Sequence, residues 1–470
     1  MPRRTKIVAT IGPASRDETT VGELIDAGID VARLNLSHGT ADEHEATATT
    51  VRRAAERAGR PIGVLADIPG PKLRTGPIAD GEVALRSGTR VTLTGPTDQP
   101  GDAERISTTL DDLPDVVDDG DEIYLADGAI VLRVVSARDG EVTAEVVRGG
   151  VLRSRKGMHI PGAENRLKAF TDEDKQALDL AVKMSVDFIG LSFVRGGNDV
   201  RRIRDVLGTP KHGPLLVSKV ETRTAVENID EIVDASDAVM VARGDLGIQT
   251  PIERVPVLQK EIIHRCNRQG LPVITATQML ESMTRSPLPT RAEVADVANA
   301  VIDGSDALML SEETAVGDYP VDAVKTMAET AEHAESYPSG CDTPQQSELD
   351  DDPVAWAVAR AAVGAAENLK VAAIICPTRS GATARRVAAF RPSMPIVAVA
   401  SDRAVTGSLA LLWGVLPLGG GVPGDHVDVD AVLTAARDAR VVASGELVAL
   451  VAGAGDRGAG ATDYVRIVRA

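Results

Sequence analysis

Aromatic side chains are nearly missing from this sequence: they make up 2% of 470 residues, with two Trp, four Tyr and four Phe. Any sizeable core must therefore be built from Val, Ala, Leu and Ile. Cysteine is scarce as well. Cys266, Cys341 and Cys376 are three in number and show no CxxC spacing, which excludes a disulfide framework, implies no zinc site and fits a reducing cytoplasm. No apolar run reaches the roughly 18 residues of a membrane helix. The nearest, LALLWGVLPL, is broken by Gly414 and Pro417, and the apolar run in MPRRTKIVATIGPAS is too short for a secretory signal. Positive charge is in deficit, with a formal net charge of -18 and a pI near 4.9. That excludes nucleic-acid binding through diffuse basic charge. An anionic small molecule stays open, because a few cations in one cleft suffice to hold it.

What is present is a rhythm. Hydrophobic residues make up 43% and charged ones 26%, the balance of a globular chain of roughly two to four domains. Eight short apolar runs alternate with longer amphipathic segments: KIVAT, VARLNL, IGVLAD, DFIGLS, LLVSKV, AVMVA, PVITA and ALML. Stretches between them, such as ADEHEATATTVRRAAERAG and RVPVLQKEIIHRCNRQG, carry apolar residues at helical spacing. Eight strand–helix units predict an α/β chain with a (β/α)8 barrel. An open doubly wound sheet would give the same local pattern, and only the count of eight favours closure.

One interval departs from the rhythm. Residues 72–166 read as β structure, with DG pairs at Asp127-Gly128 and Asp139-Gly140 marking hairpins. We expect an inserted all-β lid domain, a small β-barrel hung over the C-terminal face where barrel active sites lie. The main barrel then takes 1–71 and 167–336, a polar linker 337–352, and a C-terminal α/β domain 353–470. Asp352 and Pro353 look like the cap and first position of a helix. No residue-level repeat is visible.

The chemistry gathers at strand ends. Lys219 and Glu221 in LLVSKVET project to one side of a strand. They could be a self-satisfied ion pair across the barrel mouth, but with eleven Lys against forty Arg a lysine placed here is informative. VARGDLG supplies Asp245, a hard oxygen ligand, and Gly244, where backbone can approach a ligand closely. Alone it would be a Gly-rich turn with a capping Asp. Glu221 and Asp245 come from successive strands, and two carboxylates with water and substrate oxygens suit Mg²⁺. Thr277 sits at another strand end. VARLNLSHG adds Arg33, Asn35 and Ser37, read as alternating along one strand face, and His38. Any one of these could be an ordinary hydrogen bond; the case rests on convergence.

KIVATIGPAS, RLNLSHG, GPKLRTG, LSFVR, SKVET, VARGDLG, ATQMLESM and LSEETAVGDYP, in this order, resemble the motif set of the pyruvate kinase family. The resemblance implies a Mg²⁺-dependent phosphotransferase that moves a phosphoryl group from phosphoenolpyruvate to ADP, giving pyruvate and ATP. It also implies a mobile lid, an effector-binding C-terminal domain and a homotetramer. Carried over by residue, Glu221 and Asp245 hold Mg²⁺ (Mn²⁺ as a substitute), and a second Mg²⁺ arrives with the nucleotide. Lys219 and Arg33 stabilise the phosphoryl group. The amides of Gly244 and Asp245, with Thr277, receive the substrate carboxylate, and Thr277 helps deliver a proton. Arg74 and Lys156 match nucleotide contacts, with Asn35, His38 and Pro13 near the same nucleotide. Thr378, Ser380 and Thr383 match a loop that holds a sugar-phosphate or nucleotide effector.

Family members that need K⁺ hold it through residues matching Asn35, Ser37 and Asp67 and the main-chain oxygen at position 68. They carry Glu where LADIPGPKLRTG has Lys72, so this chain resembles the potassium-independent branch, with the Lys72 ammonium substituting for K⁺. Two other classes stand beside this reading: a Mg²⁺-dependent lyase on a similar barrel, and a non-catalytic metabolite sensor. The β insertion with Lys219 and Arg33 disfavours the first. Intact Lys219, Glu221, Asp245 and Thr277 disfavour the second.

Overall fold

A computed structural model describes residues 3–70, 73–126, 128–162, 166, 170–208, 213–337, 341–344, 352–420, 428–453 and 462–470. Its centre is a closed, all-parallel barrel of eight strands, each hydrogen-bonded to its neighbours in chain order. They are β1 (Lys6–Thr10), β2 (Val31–Asn35), β3 (Gly63–Ile68), β4 (Phe188–Leu191), β5 (Leu215–Val220), β6 (Ala238–Ala242), β7 (Val273–Ala276) and β8 (Ala307–Leu310). All eight apolar runs are strands, and closure decides against the open sheet.

Strand alternation sorts the side chains. One set faces the surrounding helices, while Val8, Val31, Leu65, Phe188, Val217, Met240, Ile274 and Met309 cluster inside the barrel. Phe188 is the largest fully buried side chain. Gly63 makes room for it, since a Cβ there would lie 2.9 Å from the ring. Ala410 and Leu411 of the C-terminal domain join the interior cluster, so that domain closes the barrel's N-terminal end. The helices start where short polar caps dictate. Thr40 and Glu43 form a reciprocal capping box on Ala41–Ala58, as do Thr171 and Asp174 on Asp172–Lys183 and Thr290 and Glu293 on Arg291–Ile302.

A repeat invisible in the sequence appears at the N-terminal end. Asp30, Asp187, Asp237 and Asp306 stand immediately before β2, β4, β6 and β8. Each carboxylate accepts a backbone N–H from the preceding odd strand: Ile7 at 2.9 Å, Val64 at 2.8 Å, Leu216 at 2.8 Å and Val273 at 3.0 Å. The expectation of no residue-level repeat is corrected here. The repeated unit is a single Asp per strand pair, and the inserted segment stretches its spacing. Arg3 pairs with Asp30, Arg204 with Asp237 and Arg391 with Asp306. Asp187 instead lies against Gly407, where a Cβ would approach its Oδ1 to 2.0 Å.

Between β3 and β4 lie a six-stranded mixed sheet and a two-stranded sheet, with helical turns at Ala79–Gly81 and Leu113–Val116 and their own apolar core. The hairpin expected at Asp139-Gly140 joins Ile130–Arg138 to Glu141–Arg148, both turn residues taking positive φ (54° and 79°). At the other hairpin Asp127 lies outside the described residues, while Gly128 turns at φ 82°. After the barrel, Asp352 caps Pro353–Leu369 by accepting from the Ala355 N–H, with Pro353 in the first turn, as expected. Much of the linker lies outside the described residues. The C-terminal sheet has four parallel strands, Val415–Gly419, Ile396–Ala400, Ala373–Pro377 and Leu447–Ala452, and an antiparallel edge, Tyr464–Arg469. The edge strand, YVRIVR, lacks the strict apolar–polar alternation that would make it stand out in the sequence. In the described residues no helix is long and apolar enough to cross a membrane.

Candidate active site

Four charged side chains meet at the C-terminal mouth of the barrel. Asp67, at the end of β3, is almost wholly buried. Its Oδ2 accepts from Arg33 Nε at 2.8 Å and lies 2.7 Å from Arg33 Nη2, and its Oδ1 lies 3.2 Å from Lys219 Nζ. Lys219 Nζ also reaches Glu221 Oε1 at 2.9 Å and donates to Ser192 Oγ at 2.8 Å. Arg33 donates onward to Thr10 Oγ1 at 2.9 Å. The pattern is two cations against two carboxylates, each hydrogen-bonded, which is what makes such burial tolerable. Burial works against the Asp67 carboxylate, yet Lys219 and Arg33 hold its pKa below the ordinary value. Lys219 is likewise opposed by burial, and Asp67 and Glu221 overcome this and raise its pKa, so it stays charged. Glu221 is pushed up, first by burial and further by Asp245. The ion pair weighed for Lys219 and Glu221 does form, as one edge of this larger cluster.

Glu221 is held by its other oxygen, which accepts from the Phe193 N–H at 2.7 Å. Phe193 follows β4 with φ 55°, a left-handed conformation costly for a bulky residue. Ser192, beside it, donates to Ile68 O at 2.7 Å. Where the chain leaves β3, Gly70 turns at φ 68°, and a Cβ there would sit 2.8 Å from Ser192. Its N–H donates to Asp174 Oδ1 at 2.8 Å, fixing the exit toward the inserted sheets.

A second group forms at β6 and β7. The helix Arg243–Gln249 starts directly after β6, with Asp245 in its first turn and not as its cap. The Gly244 N–H donates to Thr277 Oγ1 at 2.8 Å, and that hydroxyl donates to Ala276 O at 2.6 Å. Thr277 and Gln278 both have positive φ, 69° and 54°. Arg243 holds them there: its Nη2 donates to Thr277 O at 2.7 Å and to Gln278 O at 3.2 Å, while Nη1 donates to Asp296 Oδ1 at 2.8 Å. Strain at three residues around one mouth is a common mark of a working site.

The remaining expected residues separate. Asn35 ends β2 beside Asp67 in register, but Ser37 lies in the following turn and not on the strand. The Asn35 side chain accepts the Ser37 N–H at 3.2 Å and folds the chain over. His38 and Pro13 are exposed on nearby loops. Arg74 forms a β-bridge with Gly157, and Thr75 N–H donates to Lys156 O at 2.8 Å, so Arg74 and Lys156 lie on paired segments. Lys72 lies outside the described residues. In the C-terminal domain Thr378 Oγ1 accepts from Gly381 N–H at 2.9 Å, and Thr383 is paired with Thr462 at 2.7 Å. Ser380 alone of the three is exposed. Ser192 and Phe193 carry no expected role, and Arg243, expected only to bring charge beside Asp245, grips the Thr277 and Gln278 carbonyls instead. A hydroxyl directly after an apolar strand, as in LSFVR, was the available signal for Ser192.

Glu221 and Asp245 fit a divalent cation: both are hard oxygen donors, and the charge of Asp245 reaches Glu221, which is nearly fully buried. Among the described residues no group of three or more His, Cys, Asp and Glu converges, so water and substrate would complete the shell.

Comparison with known proteins agrees with this architecture. The family description "Pyruvate kinase, barrel domain" matches residues 2–324, and "Pyruvate kinase, alpha/beta domain" matches 356–468. Similar curated proteins include the pyruvate kinase of Geobacillus stearothermophilus, 43% identical over 99% of this chain and 80% of the relative. The pyruvate kinase of Thermococcus litoralis is 44% identical over 88% of each chain, and one from Staphylococcus epidermidis 41% identical over 99% of this chain and 80% of its own length. The family's reaction passes a phosphoryl group from phosphoenolpyruvate to ADP at the end of glycolysis, generally with Mg²⁺ and usually with K⁺. Eight closed strands, the charged cluster at their mouth and two family matches spanning nearly the whole sequence lead to one assignment: this chain belongs to the pyruvate kinase family, and is a phosphotransferase.

Proposed function

We propose that the barrel mouth carries out the family's phosphoryl transfer with the following division of labour. The observation that supports it most is the convergence of Lys219, Arg33, Asp67 and Glu221 within 3.2 Å contacts. Phosphoryl transfer depends mainly on positioning and charge neutralisation. Lys219 and Arg33 face the phosphoryl group with charges already fixed in place, so little reorganisation is needed as negative charge shifts. Glu221 and Asp245 hold Mg²⁺, which when bound neutralises carboxylate and phosphoryl oxygens. The amides of Gly244 and Asp245, with Thr277, receive the substrate carboxylate. Thr277 then helps bring a proton to the enol carbon, through its hydroxyl or an adjacent water.

Arg74 and Lys156 bind the nucleotide phosphates, near Asn35, His38 and Pro13. Residues 72–166 form the lid, which excludes water when it closes. Lys72 replaces K⁺. The segment 353–470 carries an effector site at Thr378, Ser380 and Thr383, and the enzyme works as a cytoplasmic homotetramer. The test is a coupled assay for pyruvate formed from phosphoenolpyruvate and Mg²⁺, with and without ADP. ADP-dependent pyruvate and stoichiometric ATP are expected. Pyruvate release indifferent to ADP would overturn the kinase reading in favour of a lyase or phosphatase, and none at all would favour a sensor.

A further inference from the structure

Gln249 ends the helix that carries Gly244 and Asp245, and its amide touches two other parts of the molecule. The backbone N–H of Arg223, just beyond Glu221, donates to Gln249 Oε1 at 3.4 Å. A backbone N–H can only donate, so the amide oxygen faces Arg223 and the amide NH₂ faces the other way. That NH₂ lies 3.1 Å from Nδ1 of His159, on the strand Met158–His159 of the inserted sheet. Nδ1 therefore accepts and carries no proton, which leaves the proton of the neutral ring on Nε2. Burial agrees, pushing the imidazole down to about 4.

The Nε2–H so assigned is buried and has no hydrogen-bond partner among the described residues. The ring stacks on Tyr124 with centroids 6.4 Å apart, and it lies within the electrostatic reach of Asp245. Buried donors without acceptors are rare in folded chains. One located beside the proposed substrate cleft marks where an acceptor binds.

We propose that His159 is a positioning residue of the lid. Through Gln249 it fastens the lid to the helix bearing Asp245 and to the segment just beyond Glu221, and its Nε2–H donates to a phosphate oxygen of the molecule in the cleft. The proposal rests on the reading of that cleft as a phosphoryl-transfer site. Docking of the lid and filling of the cleft then reinforce each other, because each completes a hydrogen bond of one imidazole. Both substrates carry phosphate oxygens, and separate experimental arms tell them apart.

The experiment follows hydrogen exchange of the 156–160 segment in the full-length enzyme, with Mg²⁺–ADP and with Mg²⁺–phosphoenolpyruvate in separate arms, beside steady-state kinetics. His159→Phe keeps the stack on Tyr124 and removes both nitrogens. Gln249→Ala cuts the same link from the barrel side, and His159→Asn restores one donor and one acceptor. In the natural chain one substrate should slow exchange in the segment. Both cutting variants should lose that protection and raise the KM for that substrate about ten-fold, with a smaller fall in kcat, and His159→Asn should recover part of it. If His159→Phe does not fold, Gln249→Ala carries the test alone. Unchanged KM and unchanged protection in active cutting variants would overturn the proposal. A natural chain without ADP-dependent pyruvate formation would instead overturn the functional reading beneath it.

Discussion

The backbone N–H of Gly244 donates to the hydroxyl of Thr277 at 2.8 Å, joining the ends of two successive barrel strands. Thr277 keeps this contact at φ 69°, a conformation that a β-branched residue adopts only under constraint. Arg243 provides the constraint by gripping the Thr277 and Gln278 carbonyls. Removing the hydroxyl while keeping the shape therefore isolates its chemistry. Thr277→Val should lower kcat/KM by about 10²-fold, the lower range for a lost proton-transfer group. Thr277→Ser should stay within a few-fold of the natural chain. Equal activities for the two variants, measured by pyruvate formation, would remove Thr277 from the mechanism.

Asp67 sits between Arg33 and Lys219 with almost no exposure to solvent. Its neutralisation leaves Lys219 with Glu221 as its remaining carboxylate contact and takes from Arg33 the carboxylate it pairs with. Asp67→Asn should cost stability on the order of 3–5 kcal/mol, the usual result of breaking a buried ion pair from one side. Urea unfolding reads it directly. A loss under about 1 kcal/mol would mean that water reaches this cluster and screens it.

Asp187 differs from its three counterparts before the even strands. Asp30, Asp237 and Asp306 each have a cation in direct contact. Asp187 is pushed up to about 6, first by burial, against the pull of the Val64 N–H and of Arg403 and Arg52. The folded chain thus holds this proton to a higher pH than the unfolded chain, so stability falls as pH rises from the unfolded value of 3.8 through 6. Asp187→Asn should be more stable than the natural chain at pH 8, and its advantage should be smaller at pH 5 by about 1 kcal/mol. Denaturation midpoints at the two pH values check this. An advantage independent of pH would show that packing, not charge, accounts for the difference.

These Asp residues also show where sequence reading stops. Eight apolar runs were enough to locate every barrel strand, because strands covered on both faces read as continuous hydrophobic stretches. Strand ends gave Lys219, Glu221 and Thr277 for a related reason, since polar groups there interrupt such runs. The repeat of Asp30, Asp187, Asp237 and Asp306 escaped because it is one residue per strand pair at unequal spacing. Ser192, Gln249 and the grip of Arg243 on the Thr277 and Gln278 carbonyls escaped because these roles lie in contacts between segments far apart in the chain. The His159 tautomer follows only once the Arg223 N–H has fixed the Gln249 amide.

Potassium dependence can be argued from the same contacts. Three of the four groups that match a K⁺ site in our reading, Asp67, Ile68 O and Asn35, are already engaged within the chain. Asp67 accepts from Arg33 and contacts Lys219, Ile68 O accepts from Ser192, and Asn35 Oδ1 accepts the Ser37 N–H. A K⁺ ion binding there would have to displace fixed cations or hydrogen bonds. Lys72, which lies between Asp67 and Arg74 in the sequence, supplies a further positive charge near the nucleotide in our reading. Full activity is therefore expected in a K⁺-free tetramethylammonium buffer. Lys72→Glu should make the enzyme dependent on added KCl, since it replaces an ammonium by a carboxylate where positive charge is needed. Strong KCl activation of the natural chain would show that the Asp67 contacts rearrange in turnover and that Lys72 is not a substitute for the ion.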